Sequence, residues 1–295
     1  MSLEPDTSAT SRAAWTSDLS VQEFTTLRSV GFEPVGQVMG TSVMKFGYAG
    51  YGGCGAYPSA YSNRRRSGAP RVAGTGQSTS SSWVGFKPLV TALYDIRRRA
   101  LSRLTHECIA LGGDGVVGVR LRMRALPGVS DAMEYEAIGT AVRGTGSRHT
   151  GQPFTSDLSG QEVAKLLLSG WVPCGVVLGV AVGVRHDDFA TQRARRSWSN
   201  VEIPGYTQLV QQTRAQVRHE IHENVVRIGG QGLVTRPMRL SIREQECRNS
   251  DGYRDHIAEA TMVGTAVVPF RRVKASDVPA PLRILRLDRK VTDAR

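Results

Sequence analysis

The chain has 295 residues, 40% of them hydrophobic, a formal net charge of +12 and four cysteines. That apolar content excludes wholesale disorder, and no apolar run approaches the roughly 20 residues of a membrane span. Cys54, Cys108, Cys174 and Cys247 stand far apart with no Cys-x-x-Cys pair. This spacing excludes a disulfide scaffold or a zinc ribbon and fits reduced thiols in a cytoplasm.

Met1 to Thr10 is polar and acidic with no apolar centre, so no secretory signal is expected. Residues 1–14 read as a tail. Thr16-Ser17-Asp18-Leu19-Ser20 then leads into Ser20-x-x-Glu23, a capping box in which serine and glutamate satisfy orphan N–H groups at a helix start. The helix should run about ten residues and stop at Gly31, where positive φ is easy. A Val/Gly-rich strand follows, Pro34 to Phe46. Tyr48 to Ser82 has Gly, Ser, Tyr and Arg without a period and reads as a long loop. Leu93, Ile96, Ala100, Leu104, Cys108 and Leu111 make an apolar stripe at helical spacing, closed by Gly112-Gly113. Val117, Val119, Leu121 and Met123 then alternate with Gly118, Arg120, Arg122 and Arg124, the pattern of a half-buried antiparallel strand. A last strand spans Glu134 to Arg143.

The order then returns. From Thr155-Ser156-Asp157-Leu158-Ser159 onward, at an offset of 139, 14 of the 28 positions from 16 to 43 are identical without a gap. Ser159-x-x-Glu162 repeats the capping box, and Gly170 repeats the stop. Pro173 to Val184 repeats the strand. His186 to Asn200 is a shorter, divergent middle. Leu209, Thr213, Val217, Ile221, Val225 and Ile228 repeat the helical stripe, closed by Gly229-Gly230. Leu233 to Ile242 is the next strand, and Pro237 inside it predicts an edge or a bulge. Ala258 to Val268 closes the unit, and its Gly264-Thr265-Ala266-Val267 matches Gly139-Thr140-Ala141-Val142. Two homologous α+β domains are therefore expected, 15–146 and 154–272, with helices on one face of a small antiparallel sheet. Residues 147–153 read as a linker and 273–295 as a second tail.

Catalytic signatures are absent. Gly113-x-Gly115-x-x-Gly118 has the spacing of a dinucleotide fingerprint, but it leaves a helix and enters a strand, so no helix N-terminus meets a pyrophosphate. No Gly-Lys-Ser/Thr follows the glycines of 50–55, and no Gly-x-Ser-x-Gly elbow occurs. His219-Glu220-Ile221-His222-Glu223 has its second histidine one residue too early for His-Glu-x-x-His. His219 and Glu223, on the face away from the apolar stripe, and His222 on its flank are candidate metal ligands, short of the three-ligand dry pocket a catalytic zinc needs. Arginine supplies 33 of the 38 basic residues. Arg64-Arg65-Arg66, Arg97-Arg98-Arg99 and Arg193-x-Arg195-Arg196 are its clusters. With Tyr57, Tyr61 and Trp198 nearby, Arg64, Arg65, Arg66, Arg195 and Arg196 are candidate contacts to nucleic acid or an acidic protein. The alternative is an arginine bias spread over solvated faces.

The stretch Tyr94 to Val142 resembles the YbjQ-like family, labelled as heavy-metal binding. The resemblance rests on the long helix, Leu111-Gly112-Gly113-Asp114-Gly115-Val116-Val117-Gly118 and the closing Gly139-Thr140-Ala141-Val142. Gly113 and Gly115 stand where the family has alanines. Pro204-Gly205-Tyr206 and the degraded turn at Gly229-Gly230-Gln231-Gly232 carry it into the second unit, with Gln231 in place of the acid Asp114. The resemblance implies two tandem dodecin-like domains and assembly into rings. It adds Asp114 as a candidate metal position, with no cofactor otherwise implied. The expectation is a non-enzymatic cytoplasmic homo-oligomer that binds or scaffolds, with no membrane contact. Five chains, as two stacked rings of like domains, is the leading arrangement. A heavy-metal-binding protein and an arginine-driven binder of nucleic acid or acidic partners are the alternatives.

Overall fold

The computed structural model describes residues 16–45, 87–129, 132–146, 152–246 and 254–270. The loop expected over Tyr48 to Ser82, with Arg64, Arg65 and Arg66, lies outside these, as do both tails and most of the linker. The first unit runs α1 (Val21–Ser29), β1 (Phe32–Lys45), α2 (Lys87–Ala110), β2 (Gly115–Ala125) and β3 (Ala132–Gly144). The second begins with β4 (Phe154–Thr155) and repeats the series. Its members are α3 (Gly160–Leu168), β5 (Trp171–His186), α4 (Phe189–Arg195), α5 (Pro204–Arg227), β6 (Gly232–Thr235), β7 (Arg239–Glu246) and β8 (Arg254–Pro269). The fold is α+β, two sheets with packed helices, as the repeat predicts.

Both capping boxes form. The Ser20 and Ser159 hydroxyls accept from the N–H of Glu23 and Glu162, whose carboxylates reach back to the serine N–H. The helices stop where expected, before Gly31 at φ +84° and Gly170 at φ +81°. In the first sheet β3 is central, antiparallel to β1 and β2. In the second, β8 is central and pairs with β5, β6 and β7. Pro237 acts more strongly than the edge or bulge expected: it lies in neither strand, and the strand expected over Leu233 to Ile242 is broken into β6 and β7, both on β8.

Each long helix lies against its own sheet. Ile96, Ala100, Leu104 and Cys108 pack on Val38, Val116, Ala137 and Ala141, and Val217 and Ile221 pack on the matching face of β5 and β8. The repeat-matched glycines Gly40 and Gly179 sit under these helices. A β-carbon on Gly40 would run into Ala100 O, and one on Gly179 would lie 2.5 Å from Val217 O. Glycine is therefore required by the close approach of backbone to backbone.

The two motifs that mark the repeat meet in space. Thr265, of the closing Gly-Thr-Ala-Val, lies 3.0 Å from Ser156 Oγ and accepts from Asp157 N–H at 3.0 Å. In the first unit Thr140 accepts from Asp18 N–H at 3.3 Å and lies 3.4 Å from Ser17 Oγ. Each opening segment is thus pinned to its own central strand.

Two features go beyond the sequence expectation. First, β4 is a parallel strand added to the edge of β2, in the sheet of the other unit. Ser156 N–H donates to Val116 O at 2.8 Å, and Val119 and Gly118 N–H donate to Ser156 O and Leu158 O, both at 2.9 Å. A bulge at Gly118, φ +65°, turns both of these N–H groups outward. Leu27, Val117 and Val142 of the first unit share a core with Leu158 and Val163 of the second. Second, the start of α2 lies on the second sheet. Leu93 packs on Val180, Val182, Val184 and Ile257. Tyr94 Oη accepts from Val180 N–H at 3.0 Å. β5 is therefore buried on both faces, which explains its valine-rich run without polar residues, whereas β1 alternates.

Candidate functional site

The divergent middle of the second unit holds the densest polar cluster. Asp188 caps α4, a helix missed in the sequence, by accepting from Thr191 N–H at 2.7 Å. This positions Asp187, whose carboxylate is 0% exposed. Asp187 pairs with Arg195 at 2.9 Å and with His256 Nε2 at 2.9 Å. Tyr206, in the first turn of α5, places its hydroxyl 2.7 Å from the same His256 nitrogen. Glu244 stands 3.7 Å from His256 Nδ1. On the neighbouring residues His186 Nδ1 meets Asp255 at 2.8 Å. Burial pushes the His256 imidazole below its ordinary range, although the Asp187 and Glu244 carboxylates pull the other way. Burial, with Asp187 beside it, pushes the Tyr206 phenol up to about 12.

An Asp–His–Tyr contact has the ingredients of acid–base chemistry, and here it is closed off from solvent. His256 is 2% exposed, its Nε2 is engaged by protein groups, and the described residues place no serine or cysteine nucleophile on it. The cluster ties α4, α5, β7 and β8 together.

The expected metal positions are not brought together. His219, His222 and Glu223 are all exposed on the outer face of α5. Asp114 is in the other unit, where its carboxylate accepts from Gly144 N–H at 2.8 Å and fastens the turn after α2 to the end of β3. Among the described residues no group of three or more His, Cys, Asp or Glu could hold a metal ion. Protein purified without a histidine tag is expected to contain far less than one transition-metal ion per chain by elemental analysis. About one zinc or copper per chain, lost in His219→Ala with Glu223→Ala, would show that this helix face builds a site.

Of the arginine candidates, Arg195 is held by Asp187 and lies 3.7 Å from Glu244, while Arg196 is exposed at the end of α4 beside the exposed Phe189 and Trp198. Sequence reading missed a larger arginine surface, a groove of about 910 Å³ between the units lined by Arg97, Arg120, Arg122, Arg124, Arg236 and Arg239. Most of this charge is answered internally. Arg120 meets Asp18, Arg124 meets Glu134 and Glu136, and Arg236 meets Asp157 and Glu162. The Arg236 bond holds the Glu162 carboxyl down at about 2. Arg97 is buried over the Tyr135 ring, 5.2 Å from its centroid.

Paired helix–sheet units, each closed by a Gly-Thr-Ala-Val strand that holds its own Thr-Ser-Asp-Leu opening, define a tandem α+β repeat protein with a YbjQ-type segment in its first unit. The family profile described as "Putative heavy-metal-binding" matches residues 81–145, the segment with α2, β2 and β3. The chain is also 31% identical over 280 residues to the encapsulin nanocompartment protein Rv1762c of Mycobacterium tuberculosis, across 93% of this chain and 92% of that protein. The chain belongs to the same family as that protein. No helix of the described residues is long and apolar enough to cross a membrane.

Proposed function

We propose that this chain is a non-enzymatic, self-assembling protein of the cytoplasm that works as a component of an encapsulin nanocompartment. The observation that carries the reading is the end-to-end similarity to a nanocompartment protein, which spans both units and not the YbjQ-type segment alone. The geometry supports it. The polar residues are spent on tying elements together, the hallmark Asp114 fastens a turn, and the groove arginines are largely paired within the chain. These are the features of a building block with a surface to present. Isolation of the untagged chain from its own cells by size exclusion tests this. The expected result is co-elution with particles far larger than the chain's own assembly, containing a shell protein identified by mass spectrometry. Elution of all the chain without a shell protein would overturn the reading.

A further inference from the structure

The chain carries two halves of one interface on opposite ends. The joint between its units is built from two complementary surfaces. The first unit offers the edge of β2 and the side of α1. The second unit offers its opening segment, Phe154 to Leu158, and the start of α3. Because the units are repeats, each owns a copy of both surfaces, and only one pair is used within the chain. Residues 16–19 correspond to 155–158, and β6 corresponds to the part of β2 that receives β4.

The unused copies are open. Ser156 and Leu158 are buried, whereas Ser17 and Leu19 are only half-buried and Thr16 and Asp18 are exposed. Val117 on the filled edge is 0% exposed, and its counterpart Val234 on β6 is 39% exposed. Gly160 is buried, with Leu27 and Glu23 so close that a β-carbon would lie 2.9 Å from Leu27 Cδ1. Its counterpart Val21 is 81% exposed. β6 pairs with β8 on one side, and among the described residues no strand pairs with its other side. Of the other edges, β2 receives β4, β5 bonds Tyr94 and Asn224, and on β1 Met39 N–H donates to Glu107 at 2.7 Å, while β7 pairs with β8 alone among the described residues. The outer sheet face tells the same story. Val182, under α2, is buried, and its counterpart Val43 is exposed.

We infer that chains join head to tail, the 16–19 segment of one copy adding as a parallel strand to the β6 edge of the next and so repeating the β4–β2 pairing made inside each chain, with the helix contact wider than at Gly160 to seat the Val21 side chain. This rests on the self-assembly proposed above and names its interface. Arg236 N–H donates to Val263 O across the ladder, so by strand alternation Leu233 and Thr235 turn their amides away from β8. Leu233 O then takes the part of Val116 O, accepting from Ser17 N–H, and Thr235 N–H takes the part of Val119 N–H, donating to Ser17 O. The contact is heterologous, so it makes a ring or a filament in which first and second units alternate. This differs from the stacked rings of like domains expected from the sequence, because the observed joint lies between unlike units.

The test uses two full-length variants, each changed at a position exposed in the single chain. Val21→Asp spoils the inserting end. Thr235→Pro removes one outward N–H from an edge strand, a change that edges tolerate. Light scattering coupled to size exclusion is expected to give a multiple of 32.0 kDa for the wild type and 32.0 kDa for each variant alone. An equimolar mixture should give twice the chain mass and no more, since one intact inserting end meets one intact β6 edge. Circular dichroism matching the wild type shows that both variants fold. Assembly of both variants to the wild-type mass would overturn this interface while leaving self-assembly intact. A wild type that stays at 32.0 kDa would overturn self-assembly itself.

Discussion

Gly40→Ala is expected to destabilise the chain by about 3 kcal/mol, near the upper end for inserting one carbon into a packed core. The added methyl has nowhere to go. It points at Ala100 O and lies 2.5 Å from Leu104 N, both backbone atoms that no side-chain rotation can move aside. α2 must lift from β1, and Ile96, Ala100 and Leu104, now fully buried, would lose contact along the strand. Gly179→Ala should act in the same direction under α5. Urea unfolding followed by circular dichroism measures both. An unchanged midpoint for Gly40→Ala would show that the helix rides freely over its strand.

Asp187→Ala should cost about 1–3 kcal/mol, the penalty for leaving buried hydrogen-bonding partners without their acceptor. Arg195 and His256 both lose their carboxylate, and the Tyr206 hydroxyl loses an acceptor at 3.4 Å. The same cluster sets a pH dependence whose sign is fixed. His256 is held below its ordinary range by burial, so at mildly acidic pH the unfolded chain binds a proton that the folded chain refuses. Its contribution is complete above the unfolded value of about 6.5 and is lost as pH falls from there through the lower folded value. Glu162 acts in the same sense lower down. Its carboxyl sits at about 2 against an ordinary 4.5, so its stabilisation fades as pH falls between those values. Thermal melts of wild type and His256→Gln across mildly acidic pH should show a steeper fall for the wild type. Parallel curves would show that His256 takes up its proton in the folded state as readily as in the unfolded one.

The sequence was most legible where information is local. Capping boxes, helical stripes and stopping glycines act over one or two turns, and the elements they predict appear in both units. Pro237 was legible for the same reason, since a missing N–H breaks a ladder wherever it falls. β4 was not legible: two residues have no period, and their pairing with β2 depends on how one unit sits on the other. The double burial of β5 left a trace in its valine run, but only the placement of Leu93 and Tyr94 explains it. The Asp187–Tyr206–His256 cluster draws on three separate elements. Its signal was the pair Asp255-His256 at the head of a strand otherwise bound for the core, polar residues that need partners there. Attention to histidine spacing led instead to His219 and His222, which face solvent.

The crossing of β4 into the first sheet has a thermodynamic consequence. The amides of Ser156, Gly118 and Val119 are bonded across the junction, and Leu27, Val117, Leu158 and Val163 belong to a single core. The second repeat cannot melt without stripping an edge strand from the first sheet, and neither can melt without taking part of the other's interior. Duplication therefore made two copies in sequence but one cooperative block, in which the free energy of each copy is partly stored in its neighbour.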